Sequence, residues 1–500
     1  MDTLENNTLN IVKTALAEIG EENDINKIKL SSRLGEDLRI DSLDSIELIH
    51  ILEDKFDIEI SERTLDSSLT VENLILYIES KLKMAQPKTV KKEKAEFINN
   101  LSMGIDPPDT FKGVVLSVDK SVVENLNFNP YYRLVESGLG REIAIENKKF
   151  ISLGSNDYLG LANNEIIKKE AIKIIEEYGM SMCGTPIVIG QTKINRDFEL
   201  KIADFLKQDD AILYPSCYQA NLGIFQLLTK EDDIIIADEN IHSSLITGCK
   251  LSNTKLRFFP HNNMKSLEGI LKNSLERGIR FIVIEGLYST EGNIAPLDQI
   301  TNLARQYDAF IIADDAHGIG VLGREGRGIL EKYDAYNDVD LITGSLGKAL
   351  GLFGGFLAGR EKLIDYFRYN SSMYFYSTAL PPYIAAAGMR AIDFVKTHND
   401  LRIKIWGYKD KLFNALKNMG YRLTKSETPL FSILFTDSYQ TIKMAKFLFE
   451  RQIYVVPFIP PSVPKDSPRI RLLPAAYLKN EDIDRVIEVF GKLKSEYVTK

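Results

Sequence analysis

One lysine, Lys348, lies in a run of small residues, GSLGKALG at 344–351. An amine on a glycine-lined turn is badly placed for a surface ion pair. It is well placed to reach a molecule in a cleft, where, once neutral, it attacks carbonyl carbon. Upstream, IIADDAHGIG supplies Asp314 and His317, ADENIHSS supplies His242, and EGLYSTEG supplies Glu285 and Ser289. YPSCYQAN sets Ser216, Cys217 and Tyr218 ahead of a helical pattern, and Ser345 shares the turn of Lys348. A helix N-terminus with free N–H groups suits an anion such as phosphate. A carboxylate, a later lysine and an anion cup together fit a pyridine ring used as an electron sink. The carboxylate keeps the ring nitrogen protonated, the lysine forms a Schiff base, and the cup anchors the far end. A second chemistry is marked by RIDSLDSIEL at 39–48, where Ser42 stands between acids just before an amphipathic run.

The elements around these residues fall into two textures. Residues 8–19 carry Leu9, Val12, Leu16 and Ile19 at helical spacing. The run after Ser42 carries Leu43, Ile46, Ile49 and Leu52, with acids on the other face, and a third helix fits 71–83. This predicts an all-α bundle over residues 1–84, then a polar, lysine-rich linker over 85–104. From about 105, short apolar runs alternate with helical patterns: DDAILYP, DDIIIADE, LRFFPH, FIVIEGLYS, AFIIADDAH and DLITGSLGK. Runs buried on both faces and followed by helices predict a mainly parallel sheet, an α/β domain whose ligands bind at the carboxyl ends of strands. That major part is expected over about 150–385 and an α+β small domain over about 386–500.

Composition narrows the class. The 500 residues are too many for one compact core. No apolar run approaches the ~20 residues of a membrane span. The first residues show no secretion signal, and three widely spaced cysteines suggest neither a disulfide framework nor a metal site, so the cytoplasm is the expected compartment. The net charge of −8 is uneven: residues 1–84 hold nine basic and nineteen acidic side chains, and the rest sums to +2. So acidic a head is a poor nucleic-acid binder and suits docking onto basic protein patches.

The motifs SNDYLGL, DDAHGIGVLGREGRG, TGSLGKALG, YSTALPP and RIRL, spread over 130–480, resemble the α-oxoamine synthase family of pyridoxal-phosphate enzymes. The resemblance implies a fold-type I homodimer with active sites at the subunit boundary. It makes Lys348 the lysine bonded to the cofactor, with Asp314 at the pyridine nitrogen, His317 and Ser289 at the ring hydroxyl, and His242 stacked on the ring. It puts Cys217, Tyr218 and Ser345 at the phosphate, with Ser377 and Thr378 reaching it across the dimer. Arg471 and Asn156 would bind the amino-acid carboxylate, and Arg133 would contact substrate. Asn195 and Tyr477 depart from the family pattern, which often has histidine there, and so bear on substrate identity. GEDLRIDSLDSIELIHILEDKF resembles the acyl carrier protein family, which makes Ser42 the attachment point of 4′-phosphopantetheine. The implied reaction is a decarboxylative condensation of a small amino acid with an acyl thioester, here one borne on the chain's own arm. Its implied partners are a phosphopantetheinyl transferase and acyl-loading enzymes. An aminotransferase or aldolase-like reaction on a tethered chain, and a non-catalytic carrier scaffold, are the alternatives.

Overall fold

The computed structural model describes residues 2–19, 24–40, 42–56, 58, 60, 68–84, 125–460 and 462–497. The expected linker at 85–104 lies outside them. The chain divides into two compact units, residues 1–110 and 111–500.

Among the described residues the first unit holds three helices, α1 (Asp2–Ile19), α2 (Ser42–Phe56) and α3 (Val71–Met84), with a short 3-10 turn at Ile25–Lys27. Val12, Ala15 and Leu16 of α1 meet Leu48, Ile49 and Leu52 of α2 and Val71, Leu74 and Ile78 of α3 in one core. The connecting segment is tied to the start of α3 by Val71 N–H to Ser32 O at 3.0 Å and Leu34 N–H to Leu69 O at 3.0 Å. Ser42 is the first residue of α2. Asp41 and the side chains of Ser42, Leu43 and Ile46 fall outside the described residues.

The second unit is built on a seven-stranded sheet. Its strands are β3 (Asp210–Tyr214), β4 (Ile234–Asp238), β5 (Lys255–Phe259), β6 (Arg280–Glu285), β7 (Ala309–Asp314), β8 (Leu341–Ser345) and β9 (Gly355–Gly359). Their order is β3-β9-β8-β7-β6-β4-β5, and β9 alone runs antiparallel to its neighbours. Strands β4, β6, β7 and β8 are almost wholly buried, as a two-faced core requires. The six runs read as strands therefore form, and all six end at one edge of the sheet. There the register sets Glu285 beside Asp314, Asp314 beside Thr343 and Ser345 beside Gly355.

The small subdomain differs from expectation in where it begins. Helix Pro382–Thr397 packs with Glu165–Tyr178 and Lys193–Leu206 on the large sheet, so it belongs to the major part. The second core instead starts with Tyr408 and Leu412, runs to Leu493, and takes in Phe128, Ile151 and Leu153 from far upstream. Two upstream strands, β1 (Glu142–Ile145) and β2 (Lys148–Ser152), form a hairpin. Strand β11 (Ile453–Tyr454) adds to it in parallel at β2. A second three-stranded sheet pairs β10 (Phe431–Leu434), β13 (Arg469–Leu472) and β12 (Pro457–Phe458). Among the described residues no helix is long and apolar enough to cross a membrane.

Candidate active site

Lys348 sits in the tight connection between β8 and β9. Its carbonyl accepts the Gly351 N–H at 2.8 Å, and Leu346 N–H closes the loop onto Gly354 O at 3.0 Å. Gly351 has φ +68°, and a Cβ there would stand 2.3 Å from Ala162 N, so only glycine lets this turn lie against the 155–162 segment. The turn thus presents Lys348 at the same sheet edge as the β6 and β7 carboxylates.

Asp314 closes β7 and is 4 % exposed. Its Oδ1 accepts Ala316 N–H at 2.9 Å and its Oδ2 accepts Asn221 Nδ2–H at 2.7 Å. Each carboxylate oxygen accepts more than one donor, so the group retains capacity for an N–H from a bound ring. Asn221 also donates to Ser244 Oγ at 2.9 Å, and Ser244 Oγ lies 2.7 Å from His242 Nδ1. The Ser244 backbone N–H points at the same nitrogen, at 3.2 Å. Nδ1 is therefore an acceptor, and the proton of the neutral ring resides on Nε2. Desolvation by the surrounding protein lowers the His242 pKa, with Asp314 opposing and Lys348 assisting. Neither Asn221 nor this relay was singled out from the sequence. The available signal was its place one helical turn after Cys217, within the YPSCYQAN stretch itself.

His317 lies buried beside Asp314, with Nδ1 2.9 Å from Tyr158 Oη. Burial holds the Tyr158 phenol in its protonated form. Burial also keeps His317 well below the ordinary imidazole pKa, helped by the Lys348 and Arg471 charges. The Tyr158 hydroxyl, by this bond, fixes the orientation of the His317 ring. Tyr158, inside SNDYLGL, is a second residue that motif reading passed over. Glu285, 3 % exposed, is pushed up to about 8 by burial and by the Asp314 carboxylate beside it. Its Oε2 accepts Ser289 N–H at 3.1 Å, the His242 backbone N–H also faces the carboxylate, and buried Oε1 has no well-formed hydrogen bond.

Helix Cys217–Leu228 aims its N-terminus at the same cleft. Ser216 Oγ caps Gln219 N–H at 3.1 Å and Ser216 O takes Ala220 N–H. Among the described residues, the Cys217 and Tyr218 amides have no intramolecular acceptor, as expected of a helix start. Gly355 makes the approach possible, since a Cβ there would lie 2.2 Å from Cys217 N. Ser345 Oγ accepts Gly347 N–H at 3.2 Å and keeps its own proton for another acceptor. Burial pushes the Cys217 thiol up, so it packs as an inert group 4.0 Å from Asp314 Oδ2.

Arg471 enters from β13. Nη2 donates to Asn156 Oδ1 at 3.0 Å and Nη1 to Ser289 O at 3.2 Å, while buried Nε has no partner. Desolvation pulls the guanidinium below its usual pKa, and no carboxylate among the described residues pairs with it. A buried cation lacking a counterion is a ready receptor for a small carboxylate. These orphaned groups fit a pyridoxal phosphate and an amino acid: an acidic acceptor for the ring nitrogen, open amides for the phosphate, an unpaired guanidinium for the carboxylate.

Other expected residues are placed elsewhere. Arg133 is not brought to this cluster. It pairs with Glu146 at 2.7 Å and packs its guanidinium 4.9 and 4.7 Å from the Phe128 and Phe449 rings, which hold it in the small subdomain. Ser377 lies 3.5 Å from Gln219 Nε2, near the helix start, and Thr378 is exposed. Asn195 is structural: its amide donates to Leu380 O at 2.7 Å and its carbonyl accepts from Thr192 Oγ1 at 2.7 Å. Tyr477, pushed up to about 12 by burial, keeps a buried hydroxyl without a well-formed hydrogen bond. Ser42 belongs to the other unit.

Comparison with known proteins agrees with this geometry. Residues 148–490 match the family described as aminotransferase class I and II, and residues 10–78 match the phosphopantetheine attachment site. The chain is 34 % identical over 378 residues to 8-amino-7-oxononanoate synthase of Thermoanaerobacter pseudethanolicus, covering 75 % of this chain and 96 % of that protein. It is 32 % identical over 365 residues to serine palmitoyltransferase of Bacteriovorax stolpii, covering 73 % and 87 %. Among solved structures, serine palmitoyltransferase from S. paucimobilis with a bound PLP–myriocin aldimine superposes with a TM-score of 0.74 at 25 % identity, covering 76 % of this chain and 96 % of that one. With that sheet edge and these matches together, the chain belongs to the α-oxoamine synthases of the class I and II aminotransferase family, preceded by a phosphopantetheine-attachment domain.

Proposed function

We propose that the chain condenses a small α-amino acid with an acyl thioester carried on its own Ser42 arm, releasing CO2 and the free carrier thiol and giving an α-amino ketone. One proton is taken up overall. The observation that carries this reading is the joining, in one chain, of a phosphopantetheine-attachment domain to a condensing-enzyme fold with its polar groups in place. A carrier on the same chain raises the local concentration of the acyl group to about millimolar. Catalytic groups this complete argue against an idle scaffold.

Pyridoxal phosphate, when bound, supplies an electron sink for negative charge at the amino-acid Cα. Asp314 would hold a proton at the ring nitrogen, and His317 and Ser289 would steady the ring hydroxyl. The Cys217 and Tyr218 amides, with Ser345, bind the phosphate. Ser377 and Thr378 of a second copy complete that cup. Lys348 would anchor the cofactor and would move the Cα proton. His242 would stack on the ring and keep water from the amino-acid Cα. Arg471 and Asn156 clamp the carboxylate until it leaves as CO2. A homodimer is supported by apolar side chains left exposed, Val188 at 79 %, Phe353 at 61 % and Tyr376 at 82 % among them. A phosphopantetheinyl transferase and an acyl-loading enzyme would act on Ser42.

The test loads the arm with acyl-pantetheine, adds single amino acids, and follows CO2 and the ketone by mass spectrometry. Ser42→Ala is expected to abolish product from carrier-borne acyl groups. Full activity of that variant with the carrier-loading system refutes the cis-carrier reading.

A further inference from the structure

Strand β13 places Arg469 and Arg471 on one face, because side chains two apart in a strand point the same way. Both reach the turn that follows β6. That turn is closed by a bridge between Leu287 and Ile294 and by Gly292 N–H to Tyr288 O at 3.0 Å, with Gly292 at φ +76°. Four consecutive residues of it meet the small subdomain. Ser289 O accepts from Arg471 at 3.2 Å, and Thr290 O from Ser432 Oγ at 2.9 Å. Glu291 forms an ion pair with Arg469 Nη1. Gly292 O accepts from Thr428 Oγ1 at 3.0 Å and Glu427 N–H at 3.2 Å. Only the Glu291–Arg469 contact joins two full charges. Arg469 is 3 % exposed, while the Glu291 carboxylate keeps partial access to water. The same guanidinium donates Nε to Ser467 O at 3.0 Å and Nη2 to Ser467 Oγ at 3.1 Å. One side chain thus locks β13, the turn before it, and the turn after β6. Breaking such a pair leaves a buried charge uncompensated, which local structure relieves by shifting.

We propose that Glu291 and Arg469 are a positioning pair for substrate carboxylate binding: they fix β13 against the 287–294 turn so that Arg471, two residues on, stands where the carboxylate arrives. Glu291 itself touches no substrate. The inference rests on the reading of Arg471 as the carboxylate clamp.

The experiment uses the full chain loaded with pyridoxal phosphate and reads dissociation constants from the cofactor's absorbance. L-Alanine is the probe, and ethylamine, the same molecule without its carboxylate, is the control. Glu291→Gln is expected to weaken L-alanine about tenfold and to leave ethylamine unchanged, the size of one lost charge-assisted contact. Glu291→Asp is expected to fall between. Unchanged L-alanine affinity in Glu291→Gln, or equal weakening of both probes, overturns the proposal. Arg471→Ala separates the two readings. If it collapses the L-alanine preference while Glu291→Gln does not, the pair alone is refuted. If it leaves the preference intact, the clamp falls and the pair with it. Should Glu291→Gln not fold, the exchanged double variant Glu291→Arg, Arg469→Glu asks the same question. A folded exchange that keeps the preference supports the pair, and one that loses it overturns the pair.

Discussion

The two units place chemistry in opposite ways. In the first, the proposed attachment position is one serine, Ser42, at one helix start, and everything that recommends it lies within a few residues. In the second, the candidate site gathers Asn221, His242, Glu285, Asp314 and Lys348, which a mainly parallel sheet and its crossovers bring to one edge, and adds Asn156 from the segment after β2 and Arg471 from β13 of the small subdomain. A local site can be carried by a small bundle; a distributed one needs a sheet whose register is set by buried strands. The first should therefore fail only at its serine, while the second should be sensitive both at its reactive atoms and at glycines that let backbones touch.

Three tests sharpen that contrast, beginning with the largest effect. Lys348→Ala should remove turnover by at least about a thousandfold, as loss of a nucleophile does. Loading of Ser42 with the pantetheine arm, read by mass spectrometry, should be unaffected. If loading is lost too, the units are not separable. Gly355→Ala should come next, because its methyl would stand 2.2 Å from Cys217 N and push the helix start off the sheet. Weaker retention of pyridoxal phosphate on dialysis is expected, with the carrier again intact. The smallest effect is a pH dependence. Glu285 is raised from its ordinary value to about 8 in the fold, so folding takes up a proton between about pH 4.5 and 8. Stability of the cofactor-free chain should fall as pH rises through that window and level off above it. Glu285→Gln should flatten the profile of Tm against pH, and an unaltered profile assigns the slope to other groups.

Much of this architecture is legible in the residues. Five of the six runs announce their strands because both faces are apolar, while β5 lies at the sheet's edge and is largely exposed, and polar residues right after the runs mark the sheet edge. Strand β9 escapes such reading, since GFLAG has two glycines and follows a glycine-rich turn without an intervening helix. The small subdomain's border is missed for another reason. Helix Pro382–Thr397 has a sequence that suits either neighbour, and only packing assigns it to the large sheet. Asn221 and Tyr158 were hidden because their importance lies in what they orient, Asp314 and His317, and no periodicity reports an orientation. Arg133 shows the converse: an arginine near a motif reads as a ligand contact until Glu146 and two phenyl rings claim it.

The small subdomain takes its first strands from residues 142–152 and its last helix from Asn480–Tyr497. During synthesis, then, its opening hairpin must wait for more than three hundred further residues to leave the ribosome before its core can close. The three-helix head is complete long before that point. Newborn chains should pass through a stage with a finished carrier and an unfinished catalyst, in which Arg471 is among the last parts to arrive. Truncations that stop short of the final helix should betray themselves by protease cuts at both ends of the second unit together.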